Sequence, residues 1–356
     1  MALYLWILSA FNDLFIFRKL REAGVNVYIK NIFLCWAVFW FVIVLLPKFL
    51  TQDFIDSHRR IFEIISGLSF TWIISSILAF FAFVFVDLIT GFKHFTCNKA
   101  LAAALLTLGG VIFCMAQAYF VIRRDVVIKT SKIDRDRIRI VYLTDLHLGR
   151  VYTRFHFERV MKLIRDAQPD IFILCGDIID GDPSYWTREL AELKQIALSS
   201  RYGAFAVNGN HEYYYLLDYD VENIIRQAGF NMMINERAET AGIVIIGLDD
   251  CPKYFNSWLK PYLKPEDANK FVLVIKHRPG LPVDSDKNFD LQLSGHTHGG
   301  QFWPMGYFKS MSYRSTQGLS NKAGGLVYVS NGAGCNGTCM RLFVQPEITV
   351  IDLVKE

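Results

Sequence analysis

Charge is scarce in this chain. Only 20% of its 356 residues are Asp, Glu, Lys or Arg, against 52% hydrophobic and 15% aromatic; this excludes a disordered chain and is too apolar for an ordinary soluble domain. A disulfide framework is also missing. The 7 cysteines are odd in number and scattered, with Cys35, Cys97 and Cys114 in or near apolar runs and Cys175, Cys251, Cys335 and Cys339 beyond them. Cys335 and Cys339 are flanked by glycine and could pair, but no histidine lies beside them in sequence, which argues against a structural zinc site. The net charge of +4 is spread along the chain, so no basic face for nucleic acid can be drawn from it. Internal repeats and low-complexity segments are absent as well.

What is present is unevenly distributed. Residues 1–122 hold 9 Lys and Arg, 6 Asp and Glu, 18 of the 29 Phe and 4 of the 7 Trp, leaving 29 basic and 28 acidic residues for the rest. This predicts a membrane region of three to four transmembrane helices over 1–122, a linker over 123–137 and a soluble domain over 138–356. Runs 64–86 and 101–122 are long enough to cross ~30 Å of hydrocarbon at ~1.5 Å per residue. Run 32–46 is shorter and extends through Pro47 and Lys48 to Leu50, with Lys48 reaching for the headgroups. Run 2–17 is interrupted by Asn12 and Asp13, and reads as a retained helix because it lacks a basic leader. Asp13 and Asp87 are expected near span ends, without the paired intramembrane charges that a transporter or channel would want. The loop charges are nearly balanced, 6 basic residues on one side and 7 on the other. Arg123 and Arg124, directly after the last run, tip the soluble domain toward the cytoplasmic face of a multi-pass cell (inner) membrane protein.

From residue 138 onward short apolar runs alternate with polar helical stretches and glycine turns. Strands are predicted at 138–143, 171–174, 204–207, 243–247, 271–275, 291–293, 326–329 and 348–353. Helices are predicted at 155–167, where Phe157, Val160, Met161 and Ile164 share one face, and at 185–198 and 221–228. The pattern is that of a layered α/β domain.

The chemistry is written at the ends of those strands. Asp145-Leu146-His147, Gly176-Asp177, Gly209-Asn210-His211-Glu212, His277 and Gly295-His296-Thr297-His298-Gly299-Gly300 each follow an apolar strand, and they hold five of the six histidines of this domain. Alone, an Asp-x-His arises by chance and a Gly-Asp is usually a turn. Loops after successive strands of one sheet converge, so together they describe a site of carboxylates, imidazoles and one amide with no nucleophilic Ser or Cys. Mixed hard and borderline ligands around a central carboxylate suit two divalent metals, with Mn, Fe or Zn as candidates.

These motifs resemble the calcineurin-like metallophosphoesterases over 138–353. The run from Gly295 to Gln301, with Val327 to Gly332 and Pro346-Glu347-Ile348, looks like the membrane-associated subgroup, which includes phosphodiesterases and enzymes cleaving the pyrophosphate of a lipidated UDP-sugar. The resemblance implies a four-layer α/β/β/α sandwich preceded by the all-α membrane region. It implies that Asp145, His147 and His298 hold one metal, that Asn210, His277 and His296 hold the other, and that Asp177 bridges them. His211 would protonate the leaving oxygen or stabilise the phosphoryl group, and with Asn210 and Arg278 it would meet substrate. Glu212 and Asp180 are expected to hydrogen-bond ligating imidazoles, and Arg278 to reach a second phosphate or to form a surface ion pair. His156 lies outside every motif and reads as structural.

The expected activity is hydrolysis of a phosphodiester or pyrophosphate by direct attack of activated water. A domain tethered by spans stays near the bilayer, so its substrate is expected to be a phosphorylated lipid or lipid-linked sugar, and the aromatics over 301–308 and 256–263 to dock acyl chains or bilayer surface. Two other classes are rivals: a membrane receptor or scaffold whose metal site binds phosphate without turnover, and a transporter whose soluble domain regulates the spans, against which the missing intramembrane charge pairs argue.

Overall fold

In the computed structural model the residues described are 2–45, 58–149, 153–215, 219–250, 259–281, 289–313, 315–322 and 325–356. They divide into two units, Met1–Ala116 with Gly337–Met340, and Gln117–Asn336 with Arg341–Glu356.

The first unit is helical: α1 (Ala2–Glu22), α2 (Val27–Leu45), α3 (Arg59–Ile89) and α4 (Cys97–Tyr119), whose last three residues belong to the second unit. Ile64–Ile89 and Cys97–Tyr119 are long and apolar enough to cross a membrane, whereas the apolar part of α2, Val27–Trp40, is shorter. The continuation of that run through Pro47, Lys48 and Leu50 lies outside the described residues. Two acids depart from the sequence expectation. Asp13 is buried in the middle of α1, where the Trp72 indole donates to it at 3.3 Å. Asp87, near the end of α3, is paired with Lys19 at 2.6 Å and faces Lys99 at 3.7 Å. A buried carboxylate needs such partners because its desolvation is otherwise uncompensated, so a charge pair occupies a place where the sequence showed an isolated acid.

The second unit is built on two six-stranded sheets. The first has the order β1 (Ile122–Thr130), β14 (Glu347–Lys355), β2 (Arg137–Leu143), β4 (Ile171–Cys175), β6 (Ala204–Val207), β7 (Asn231–Met232). The second runs β12 (Gly318–Lys322), β13 (Gly325–Val329), β11 (Leu291–Ser294), β10 (Phe271–Lys276), β9 (Ile243–Leu248), β8 (Glu236–Thr240). Strands β3 (Leu148–Gly149) and β5 (Ile179–Asp180) form a small ladder beside them. Alternate residues explain the layering: Ile140, Tyr142, Ile171, Ile173 and Phe205 of one sheet share a core with Ile245, Leu273, Ile275, Leu293 and Tyr328 of the other. Each such side chain contributes about 1.5–3 kcal/mol on burial.

Helices α5 (Arg154–Ala167), α6 (Thr187–Ser199) and α8 (Val221–Gln227) cover the outer face of the first sheet, and the short α7 (Asn210–Tyr215) follows β6. Thr153 caps α5, and His156, Phe157, Val160, Met161, Ile164 and Ala167 form its buried stripe. On the outer face of the second sheet, among the described residues, Leu259, Tyr262 and Leu263 pack from short 3₁₀ segments. All eight predicted strands are present.

The expected linker is not one. Residues 122–130 form β1, paired in parallel with β14 along its whole length, from Ile122 opposite Glu347 to Thr130 opposite Lys355. It was unreadable as a strand because it is an edge strand, and Arg123, Arg124, Asp125 and Lys129 replace the apolar alternation with the charges that edges carry. Only Phe120 and Val121 separate it from α4.

Candidate metal centre

Strands β2, β4 and β6 are parallel to one another, as are β9, β10, β11 and β13. The loops at their carboxyl ends therefore open on one edge of the sandwich. Backbone bonds lock them together: Asp145 N–H donates to the Gly176 carbonyl (3.0 Å), His147 N–H to Asp177 (3.0 Å), and Gly295 N–H to His277 (2.8 Å). Two bonds tie one sheet's loops to the other's, from the Tyr142 hydroxyl to the Ser294 carbonyl and from His277 Nδ1 to the Cys175 carbonyl at 2.7 Å.

The loops approach so closely that side chains are excluded at two glycines. A Cβ on Gly209 would lie 2.2 Å from Asp177 Oδ1, and one on Gly295 2.3 Å from Asp145 Oδ2. Asp145, His147, Asp177, His296 and His298 all have left-handed φ, between 49° and 67°. At about 1–3 kcal/mol each for a non-glycine residue, this strain falls on five of the residues the sequence singled out.

Three groups of ligand atoms result, each within 4.8 Å: Asp145, His147 and His298; His147, Asp177 and His211; and Asp177, His277 and His296. Asp177 is the common member of the last two. Its Oδ1 accepts from the His211 backbone N–H (2.8 Å), while Oδ2 faces Nε2 of His277 at 3.1 Å, His147 at 3.9 Å and His211 at 4.0 Å. In the first group His147 Nε2 and His298 Nε2 are 3.1 Å apart, with Asp145 Oδ1 3.3 Å from the latter. Asn210 Oδ1 is buried with no hydrogen-bond partner.

This donor set fits divalent metals. His277 donates through Nδ1, which turns the lone pair of Nε2 toward a carboxylate oxygen; two acceptors at that distance need a proton or a cation between them. The facing nitrogens of His147 and His298 and the orphaned Asn210 oxygen have the same character. Electrostatically the site is polarised. Burial disfavours the Asp177 carboxylate, yet His277, His211 and His147 hold it far below the usual range. Against its own burial, His277 is pushed up to about 10, chiefly by Asp177. Burial, with His277 beside it, brings His296 down to about 2.

All seven residues expected to hold metal thus lie at one edge. Asp180 accepts from His211 Nδ1 at 3.0 Å and faces His147 Nδ1 at 3.5 Å, as the sequence suggested. Glu212 does something else. Instead of meeting imidazoles, its buried carboxylate accepts backbone N–H groups from Asp177, Ile178, Ile179 and Gly209 at 2.7–3.2 Å, binding two loops together. Arg278 pairs with buried Asp250 at 3.3 Å, an ion pair rather than an open contact for a second phosphate. His156 is buried with Nε2 on the Ala333 carbonyl at 2.7 Å, a structural role. The stretch 256–258 and Cys251 lie outside the described residues, and Cys335 and Cys339 are not joined to each other.

Two residues had no signal in the sequence. Arg341 is fully buried; its guanidinium donates to the carbonyls of Asn331 and Gly332 and lies 3.3 Å from His298 Nδ1. Lys309 donates to the Thr297 carbonyl at 2.9 Å. Neither belongs to a motif, and only the fold brings them to the histidine turn.

Comparison with known proteins agrees with this geometry. Residues 138–300 match the family model described as calcineurin-like phosphoesterase. An uncharacterized metallophosphoesterase from Aquifex aeolicus is 33% identical over 250 residues, covering 67% of this chain and 93% of the relative. A Bos taurus protein named as a transmembrane protein with metallophosphoesterase domain is 27% identical, covering 73% of this chain and 63% of its own. A dimetal phosphatase from Danio rerio is similar in structure with a TM-score of 0.35, 13% identity, and coverage of 55% of this chain and 88% of that one.

Proposed function

Since this chain belongs to the calcineurin-like phosphoesterase family and is a phosphoester hydrolase, we propose that it is a membrane-anchored dinuclear enzyme cleaving a phosphodiester or pyrophosphate bond in a lipid-linked substrate, such as a UDP-linked acylated sugar or a phospholipid. The observation that carries the chemistry is the Asp177 carboxylate set among three imidazoles with Asn210 beside it. Asp145, His147 and His298 would hold one metal, Asn210, His277 and His296 the other, and Asp177 would touch both. When bound, such metals lower the pKa of water and neutralise charge gathering on phosphoryl oxygens.

The side chains do the rest. Asn210 is a neutral donor, which leaves the centre net positive for an anionic substrate. His211 is held through Nδ1 by Asp180, so its Nε2 edge is oriented to give a proton to the leaving oxygen. Thr144, Thr297 and Cys175 are the hydroxyl and thiol groups closest in sequence to the ligands. The Thr144 hydroxyl lies 2.8 Å from both Asp145 Oδ2 and the Cys175 carbonyl, Thr297 donates to the Thr316 carbonyl at 2.6 Å, and burial pushes the Cys175 thiol far up, so none offers a nucleophile. Direct attack by water, without a covalent enzyme intermediate, follows.

Membrane anchoring is supported by the two helices long and apolar enough to span and by the name of the Bos taurus relative. The cytoplasmic face is proposed from Arg123 and Arg124.

The test is hydrolysis of bis-(p-nitrophenyl) phosphate by the purified chain with added Mn, alongside Asp177→Ala. Turnover in the wild type and none in the variant is expected. Phosphate retention without turnover by the wild type would favour a receptor, and a trapped phosphoprotein would overturn direct attack. With an alkyl leaving group, His211→Ala is expected to lose about 10²–10⁴-fold in rate, and far less with nitrophenolate. Incubation with membrane lipids and mass spectrometry of what Asp177→Ala leaves intact would identify the substrate.

A further inference from the structure

Helix α9 (Met305–Ser312) begins seven residues after His298, and its two sides have opposite characters. The inner side is bound to the histidine turn: Lys309 donates to the Thr297 carbonyl, and a Cβ on Gly300 would lie 2.2 Å from the Gly306 nitrogen. The outer side carries Tyr307, Phe308 and Met311, 69%, 62% and 85% exposed, with Trp303 just before the helix at 56%. At 100° per residue, 307, 308 and 311 fall within one 100° sector. Soluble surfaces rarely leave two large aromatics and a methionine together in this way.

The hydrogen bonds of the catalytic unit say where this face lies. Trp303 N–H donates to the Leu342 carbonyl at 2.9 Å, and the next residue, Phe343, donates its N–H to the Gln117 side chain at 2.6 Å. Gln117 is in the last turn of α4, the helix long and apolar enough to cross a membrane. Trp303 is therefore two short contacts from the point where the chain would leave the bilayer. Phe120, also exposed, follows directly on α4 at that exit. Tryptophan and tyrosine with an apolar body and a polar tip are the side chains that settle at the headgroup boundary.

We propose that Trp303 and the Tyr307–Phe308–Met311 face of α9 seat in the interface of the bilayer that α4 enters, and that α9 thereby holds the histidine turn against the headgroup layer where a lipid phosphoester lies. The docking rests on exposure and connectivity; its catalytic consequence rests on the hydrolase reading above. The occupant is a phospholipid surface, not a second protein.

Two readouts separate these parts. The full chain is reconstituted in phosphatidylcholine–phosphatidylglycerol nanodiscs containing a diazirine-tailed phosphatidylcholine, irradiated and mapped by mass spectrometry. Adducts on 303–311 as well as on α4 are expected; adducts on α4 with none on 303–311 overturn the docking, whether or not the chain is an active hydrolase. The second readout compares wild type with the Tyr307→Ser, Phe308→Ser, Met311→Ser triple variant. Both act on bis-(p-nitrophenyl) phosphate in detergent and on diacylglycerol p-nitrophenyl phosphate in nanodiscs, which share a leaving group. The variant is expected to keep the soluble rate and lose tenfold or more on the lipid. An equal loss on both, or no loss on either, overturns the presenting role. A wild type inactive on both defeats the hydrolase reading and leaves the crosslinks to decide the docking.

Discussion

Replacing Glu212 with glutamine tests how the centre is held. The carboxylate is buried, with Oε2 accepting from Asp177 N–H (2.8 Å) and Gly209 N–H (2.7 Å), and Oε1 from Ile178 N–H (2.7 Å) and Ile179 N–H (3.2 Å). An amide retains one oxygen and turns the other into a donor, so two of the four backbone N–H groups lose their acceptor and face N–H instead. At about 1–3 kcal/mol for each buried group left unsatisfied, Glu212→Gln costs roughly 2–6 kcal/mol. With ~2–4 °C per kcal/mol for a unit of this size, its melting temperature should fall on the order of 5–20 °C. Because the lost bonds are to the Asp177 and Gly209 backbone, the ligands on both loops move, and bound metal should fall with stability. The assay is thermal unfolding of the detergent-solubilised chain with and without chelator, together with metal content by plasma mass spectrometry. The stability loss should persist in chelator, since the bonds are within the protein. A glutamine variant with wild-type melting and full metal content would refute the claim that this side chain ties the loops together.

Other changes probe the same frame. Gly209→Ala puts a methyl 2.2 Å from Asp177 Oδ1 and 2.5 Å from its backbone nitrogen; lost metal binding and activity are expected, and normal metal stoichiometry would contradict the close approach. Arg341→Met removes the guanidinium beside His298 Nδ1 and should weaken metal binding about 10–100-fold, as loss of a group orienting a ligand does; an unchanged titration would show that Arg341 serves only packing. Burial lowers the pKa of His156 from 6.5 to about 4. The folded state then binds fewer protons than the unfolded chain between those values, so stability is full above pH 6.5 and falls as pH drops toward 4, by about 3 kcal/mol for this one group. His156→Gln keeps a donor for the Ala333 carbonyl and should flatten that part of the profile in denaturant titrations at pH 7, 5.5 and 4.5. Parallel profiles for the two proteins would rule out His156 as the source.

The legible parts were those whose signal is local. Strand β10 is a run of apolar residues closed by His277, and β11 ends at Gly295; hydrophobic continuity and glycine turns mark such segments without knowledge of their neighbours. Less legible were elements whose meaning depends on a partner far away in sequence. Strand β1 hides behind its edge charges until β14 is laid beside it. Glu212, two residues from a candidate ligand, looked like a partner for imidazoles because sequence shows proximity to the motif and not the direction of the side chain.

By itself the sequence determined the residue types of the centre, their order on successive strands and the division into an apolar region and a charged one, because each is a property of short segments. Tertiary structure alone decided which donors meet. It set Asp177 among three imidazoles, turned Glu212 onto the backbone, buried Arg341 against His298 and left one face of α9 exposed. The reason is physical: burial, hydrogen-bond pairing and close backbone approach are fixed only when the two sheets have packed, and none of them is carried by the spacing of residues along the chain.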